Sequence, residues 1–440
     1  MRRANKKTRT YPLFFHTIKN TIAFYVLNRR RAGDYIYLSS QLISPIVGFV
    51  TSIIAVKYLL PYELGVIQTV MLIPAYCSFF HFGVFNGLNR NIAFYEAQQN
   101  GVKIQAMVDA SRRTAIANSL MGVSISVIVL IYFVLKGNSS LHLYSVAIVL
   151  GTLTFSPICT HYETIYRGRR AFMPLGILKN IGNGISLVLG FLPIAFGALG
   201  MIFRNATLPA VNFFLLRRKN PIKHKTMGKN DEVFDLARVG FPMLITGVLY
   251  VFFNAADRTI VALTLGPTAV GELALSGMIV AAIQILPVSM GALLYPRASY
   301  IFGLTKTSVG LRKFFFFSLA FNIITIVPLC LISYFTIGPM IEKFLPKYIE
   351  GIKAAKIYSL GSIFLIYYGV SIIIPVVRRN TPIIIAYVIA ILMLWIFGLL
   401  FVKRGLGIEG IAWARFIASA FLCVFTIAYS YYLTTLDIKS

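Results

Sequence analysis

Asp257 and Arg258 stand side by side in FFNAADRTIVALTLGPTAVGELALSGMIVAA, residues 252–282, a stretch otherwise almost free of charge. A charge in the middle of a bilayer costs at least about 2.5–3.5 kcal/mol on insertion scales, so it needs a partner or a wet cavity. Adjacent positions on a helix point about 100° apart, so the two cannot face one way. Two neighbours are implied, such as a facing helix for one and a cavity for the other. Arg204 and Arg415 sit five or six residues inside two other apolar runs, at a depth comparable to that of Asp257 and Arg258. Guanidinium groups stay charged and grip phosphate or carboxylate oxygens through forked hydrogen bonds. A layer of Arg204, Arg258 and Arg415 with Asp257 would therefore suit an anionic cargo. The same residues could instead lock helices as ion pairs, or reach out to lipid headgroups along their stems. Nearer the other membrane face lie His161, Glu163 and Lys179, with His81, Arg90 and the basic run Arg167, Arg169, Arg170. Lys179 could receive an anion at entry or snorkel to the interface. His161 and Glu163 could titrate or simply be interfacial.

The chain that must position these groups has 440 residues, 58% hydrophobic and only 13% charged. Soluble domains average about 25% charged residues, and polar surface has to face water. Lipid is the solvent this composition fits. Twelve apolar runs appear, at 36–56, 64–86, 115–135, 143–163, 173–195, 199–216, 240–263, 271–295, 314–337, 354–377, 383–402 and 410–433. Each approaches the roughly 20 residues a helix needs to cross a bilayer. None alternates as barrel strands do, so helices are the expected spanning element and the fold class is all-α integral membrane.

The net charge of +28 would point a soluble protein toward nucleic acid, but here the basic residues sit between apolar runs, where they report topology. With the N-terminus placed in the cytoplasm, the inner segments carry thirty Lys and Arg and the outer loops eight. That asymmetry predicts an even number of spans with both termini cytoplasmic, and it accounts for the basic charge with no nucleic-acid partner. Residues 1–35 form a basic N-terminal segment in which 11–27 reads either as an interfacial helix or as a disordered tail. No cleavable signal peptide is expected, because Arg2-Arg3 lacks an apolar stretch directly after it. Residues 217–239 are a basic linker and 434–440 a short cytoplasmic tail. The loops leave no room for an extramembrane domain. Cys77, Cys159, Cys330 and Cys423 all fall in apolar runs without metal-ligand spacing and read as packing residues.

The chain repeats itself. LLPYELGVIQ (59–68) and TLGPTAVGELA (264–274) share Pro-x-x-x-Gly, with Pro61 and Gly65 each 206 residues before Pro267 and Gly271. GALGMIFRNA (197–206) and GIEGIAWARF (407–416) share Gly-x-x-Gly followed by arginine, with Arg204 211 residues before Arg415. The division this predicts is an N-terminal six-helix bundle, 36–216, and a C-terminal one, 240–433. Six is even, so the two halves have the same orientation about an axis along the membrane normal, as in transporters that rock around a central site.

The stretch NAADRTIVALTLGPTAVGELALSGMIVAA with the following LLYPRASYIFG resembles the pattern of polysaccharide exporters. So do FFHFGVFNGLNRNIAFYEAQQNG after the second span and FLPKYIEGIKAAKIYSLGSIF at 344–364. Over about residues 34–433 the chain resembles the Wzx-like polysaccharide repeat-unit flippases of the multidrug/oligosaccharidyl-lipid/polysaccharide exporter superfamily. The motifs are loose and identify the superfamily better than the substrate. The resemblance implies two six-helix bundles forming a V around a central cavity. It implies translocation of undecaprenyl-pyrophosphate-linked glycans from the cytoplasmic to the outer leaflet, for O-antigen, capsule or exopolysaccharide synthesis. Membrane lipids and the pathway's polymerase are the expected partners, with no metal centre and no ATP site.

Within that frame Arg204, Arg258, Arg415 and Lys179 are the candidate cargo contacts. Asp257, Glu163 and His161 are the candidates for ion coupling or structural pairing. Prolines at 74, 157, 193, 209, 242, 287, 328 and 375 interrupt spans and would kink them, for motion or for packing. A multidrug extruder of the same superfamily is the nearest alternative; a basic layer would repel cationic drugs. A peptidoglycan-precursor flippase would usually carry two further spans. A membrane glycosyltransferase or polymerase lacks support, since no paired carboxylates, Ser/His/Asp set or Gly-rich nucleotide loop appears. A membrane scaffold would leave the charged layer unexplained.

Overall fold

The computed structural model describes residues 32–218, 231–305, 307–377 and 379–436. The interfacial-helix expectation for 11–27 and most of the linker lie outside them. The described chain is helical throughout its elements: α1 Ala32–Tyr58, α2 Pro61–Val70, α3 Leu72–Cys77, α4 Val84–Ala97, α5 Gly101–Leu135, α6 Ser140–Gly168, α7 Phe172–Leu189 and α8 Leu192–Arg218. The second half continues with α9 Asp231–Thr264, α10 Pro267–Thr305, α11 Arg312–Phe344, α12 Ile352–Gly361, α13 Tyr367–Ser371, α14 Ile373–Val376, α15 Thr381–Lys403 and α16 Gly407–Thr435. Eleven helices among the described residues are long and apolar enough to cross a membrane.

The expected second span, 64–86, is the exception. It is divided into α2, α3 and the start of α4. Pro74 has no N–H to give the carbonyl of Val70, which interrupts the ladder where α2 passes into α3. Gly83 then turns the chain in the left-handed region, φ 85°, before α4. The break is useful to the packing, because a Cβ on Gly83 would lie 2.5 Å from the backbone of Gly240 and Phe241 on α9. Charge and caps fix other ends. Glu63 accepts from the Leu60 N–H at 2.9 Å ahead of α2, and Asn100 accepts from Lys103 N–H at 3.0 Å to open α5. Asp231 and Glu232 lie in the first turn of α9, starting that helix nine residues before the apolar run. There they favour the positive end of its dipole.

Lipid tails are as apolar as leucine, so helices in a bilayer gain from close packing rather than from leaving water. Small residues accordingly mark the contacts. Gly176 on α7 packs on the backbone of Ile36 and Tyr37 in α1, and Gly151 on α6 packs on Ala206 of α8. One buried cluster is built wholly from residues between Phe253 and Leu433. A second draws on residues between Val84 and Leu216, joined by Leu236. A third joins both halves, bringing Leu59, Leu64 and Ile67 together with Leu275, Ile279 and Tyr348.

The joint between halves uses the repeat. α2 packs along α10, and a Cβ on Gly65 would stand 1.7 Å from the carbonyl oxygen of Pro267, while one on Gly271 would stand 1.8 Å from that of Pro61. The two motifs 206 residues apart thus contact each other reciprocally. Beside them Tyr348, fully buried in the 3-10 turn Pro346–Gly351, donates its hydroxyl to the Leu59 carbonyl at 3.2 Å.

Candidate functional site

Below this joint lies a cavity of about 560 Å³, to which Tyr358 of α12 and Arg415 of α16 contribute and whose main walls are α1, α2, α3, α9 and α10. These are the first two spans of each half, so equivalent elements form opposite walls. Pro45, Gly48 and Ser52 face it from α1, Gln68 from α2, Tyr250, Asn254 and Arg258 from α9, and Gly277 and Gln284 from α10. A Cβ on Gly48 or Gly277 would meet nothing within 4 Å, which leaves the space between the walls open.

Asp257 and Arg258 part company here. Asp257 is buried at the edge of the cavity and turns into the second half. Its Oδ2 accepts from the Tyr358 hydroxyl of α12 at 2.8 Å and lies 3.8 Å from Nη1 of Arg415 on α16. Three further interactions hold Arg415: Nη1 donates to the Phe253 carbonyl at 2.6 Å, Nη2 donates to Asn254 Oδ1 at 2.7 Å, and the guanidinium lies 4.0 Å from the Phe253 ring centroid. The Phe253 face adds a cation–π attraction. Arg258 turns the other way. Its Nη1 donates to Gln68 Oε1 across the joint at 3.2 Å, and Nη2 donates to the Asn254 carbonyl at 3.3 Å. Among the described residues no carboxylate pairs with Arg258, so the cavity wall retains a positive charge.

Arg204 does not line that cavity. It lies within the first half, where it donates to Thr51 Oγ1 of α1 at 2.9 Å, to Ser186 Oγ of α7 at 3.0 Å and to Asn205 Oδ1 at 3.1 Å. The offset of 206 that relates the proline motifs also relates Thr51 to Asp257. Arg204 on Thr51 is therefore the counterpart of Arg415 on Asp257, with a hydroxyl in place of the carboxylate. Three helices of the first half are tied by one guanidinium.

Lys179 and Glu163 are brought together, Nζ to Oε2 at 2.9 Å. They border a space of about 170 Å³ in the first half with Ser44, Asn183, Ser186 and Asn212. Glu163 also borders an adjoining space of about 310 Å³ with Thr152, Ser156 and Thr160. Neither wall includes Arg258 or Arg415, so Lys179 belongs to a separate chamber and its charge is matched by Glu163. His161 is buried against Ser111, Nδ1 to Oγ at 2.9 Å. No group of three or more His, Cys, Asp or Glu able to hold a metal occurs among the described residues.

Several site residues escaped the sequence reading. Gln284 Nε2 donates to the hydroxyls of Tyr250 and Tyr368, at 2.9 and 2.5 Å, and Tyr368 donates to Tyr250 at 2.9 Å. Gln68, Thr51 and Tyr358 are partners that only the fold reveals. One signal was present: Tyr250, Asn254 and Arg258 recur every fourth residue, the spacing of one helix face.

No protein-family model matches the sequence, and no curated protein matches it. Solved structures are similar in fold. An inward-facing multidrug resistance MATE family transporter of the MOP superfamily superposes with a TM-score of 0.70 at 14% identity, covering 90% of this chain and 98% of that one. An outward-facing MATE family structure of the same superfamily reaches 0.60 at 14% identity over 92% and 94%. The lipid II flippase MurJ, in an inward closed conformation, reaches 0.66 at 18% identity over 90% and 87%. At such identities the likeness establishes architecture: this chain has the all-helical, multi-span fold of MOP-superfamily transporters.

Proposed function

We propose that the chain is a flippase for undecaprenyl-pyrophosphate-linked oligosaccharide repeat units, moving them from the cytoplasmic to the outer leaflet by alternating access. The observation that carries this is Arg258: a guanidinium on the wall of the central cavity whose hydrogen-bond partners are a neutral amide and a carbonyl. Asp257, the nearest acidic group in sequence, is already engaged by Tyr358 and Arg415. A pyrophosphate offers the forked acceptors that a guanidinium prefers. A cationic drug would meet like charge at the same wall. Likeness to both a multidrug transporter and a lipid-linked precursor flippase leaves the fold neutral between those cargoes, and the wall charge favours the anion.

The rocking bodies in this reading are residues 36–216 and 240–433, joined by the basic segment 217–239. With both termini cytoplasmic in a bacterial inner membrane, the Gly65–Gly271 joint closes the outer side, and the better superposition on the inward-facing relative supports that state. The polysaccharide produced would be an O-antigen, a capsule or an exopolysaccharide, and a polymerase would take the delivered units. The test is transport in reconstituted vesicles. A lipid-linked oligosaccharide placed in one leaflet should become accessible to a glycosidase on the other side faster with the protein than without it. No acceleration under any applied gradient would end the proposal.

A further inference from the structure

Two turns of α9 before Arg258, the cavity wall changes character. Tyr250 and Gln284 border both the central cavity and a smaller space of about 30 Å³ behind it, room for roughly one water. Tyr368 completes the group from α13, its ring edge-on to Tyr250 with centroids 6.5 Å apart. The hydrogen bonds leave a defined remainder. Gln284 uses both amide hydrogens on the two tyrosines, so its Oε1 is left to accept. Tyr250 accepts from Gln284 and Tyr368, so its own hydroxyl hydrogen is left to donate. One open acceptor and one open donor, fixed beside each other and flanked by ring faces, complement neighbouring hydroxyls on a ring with an apolar face.

We infer that Tyr250, Gln284 and Tyr368 form a carbohydrate subsite for the glycan of the cargo, with Arg258 holding the anionic end about 12 Å away along α9, at 1.5 Å per residue. The inference rests on the flippase reading and deepens it. Asn254 stands between the two positions and is already committed to Arg415. The ruler therefore has one charged end and one uncharged, hydroxyl-matching end. At that separation the subsite meets sugars beyond the one attached to the pyrophosphate.

The experiment compares binding of two probes to the full chain in detergent micelles by titration calorimetry: bare undecaprenyl pyrophosphate, and the same lipid carrying a neutral trisaccharide. The wild-type chain should bind the glycosylated lipid at least tenfold more tightly. In Tyr250→Phe and Gln284→Leu that ratio should fall at least fivefold, while Arg258→Gln should weaken both probes together. Tyr250→Phe keeps the ring and the packing, so a matching thermal transition separates lost recognition from lost folding. A wild-type ratio near one, or variants that keep the ratio, overturns the subsite while leaving the flippase reading in place. Failure of the wild-type chain to bind either lipid overturns both.

Discussion

Gly65 and Gly271 each occupy the gap over the other motif's proline carbonyl, with room for a hydrogen atom and none for a methyl group. Two helices that approach this closely lose their separation to any side chain, and overpacking of this kind costs typically about 1–3 kcal/mol. Because the contact is reciprocal, Gly65→Ala and Gly271→Ala should lower the thermal midpoint by similar amounts. The double variant should lose less than the sum, since one separation relieves both clashes. Differential scanning fluorimetry in detergent reads all three. Strictly additive losses would show that the two glycines do not share one contact.

Much of this arrangement was legible in the sequence, and the limit of legibility is physical. Pro61, Gly65, Pro267 and Gly271 announced a repeat because close helix crossings and helix starts demand particular residue types. Asp257 and Arg258 announced two environments because adjacent helix positions diverge. Partner identity was not legible. Arg204 and Arg415 are alike in their local sequence but differ in what stands opposite, Thr51 or Asp257, and that is set by a helix some 150 residues away in each case. An interruption at Pro74 was legible in the second span, but its division into separate helices was not, because hydropathy does not report where the ladder stops. Tyr250, Gln284 and Tyr368 went unnoticed because tyrosine and glutamine in an apolar run carry no charge to flag them.

Arg204 and Arg258 should respond differently to loss of charge. Arg204→Ala removes hydrogen bonds to Thr51 and Ser186 that tie α1, α7 and α8, and bonds to a charged group contribute about 1.5–3 kcal/mol each. Its export should fall only in proportion to the amount of folded protein. Arg258→Gln keeps a polar side chain beside Gln68 and should leave the melting transition nearly in place while export drops by tenfold or more. Export per folded molecule, measured in the vesicle assay for both variants, distinguishes them.

Asp257 and Arg415 should behave as a unit. Removing one partner of a buried pair leaves an uncompensated charge, which costs about 3–5 kcal/mol, whereas an apolar replacement of both is often near neutral. Asp257→Ala alone should therefore abolish stable expression or lower the midpoint steeply. Asp257→Ala with Arg415→Leu should recover most of the loss, although Tyr358 is left without its acceptor. If the double variant is no more stable than Asp257→Ala, the pair is not what the aspartate serves.

Lys179 and Glu163 form a pair about a quarter exposed, side chains 23% and 26% accessible, so water screens part of their attraction. Lys179→Gln or Glu163→Gln should cost well under the buried pair at Asp257. The swapped variant Lys179→Glu with Glu163→Lys should restore the midpoint to within experimental scatter of wild type. Export that survives the swap would assign the pair to packing of the first half. Export lost in a folded swap would mean that the sign of charge at residue 179 matters to the cargo.

Gly277 offers a test that separates stability from passage. A Cβ there meets nothing within 4 Å, and alanine in a helix is better than glycine by roughly 0.5–1 kcal/mol. Gly277→Ala should therefore melt at the same temperature as wild type or slightly higher and should still export. Gly277→Trp projects a large ring into the cavity between α10 and α1. It should fold, retain the reciprocal contact at Gly65 and Gly271, and export little or nothing. A folded Gly277→Trp chain with full export would mean that cargo does not pass between these walls, and the central cavity would lose its role.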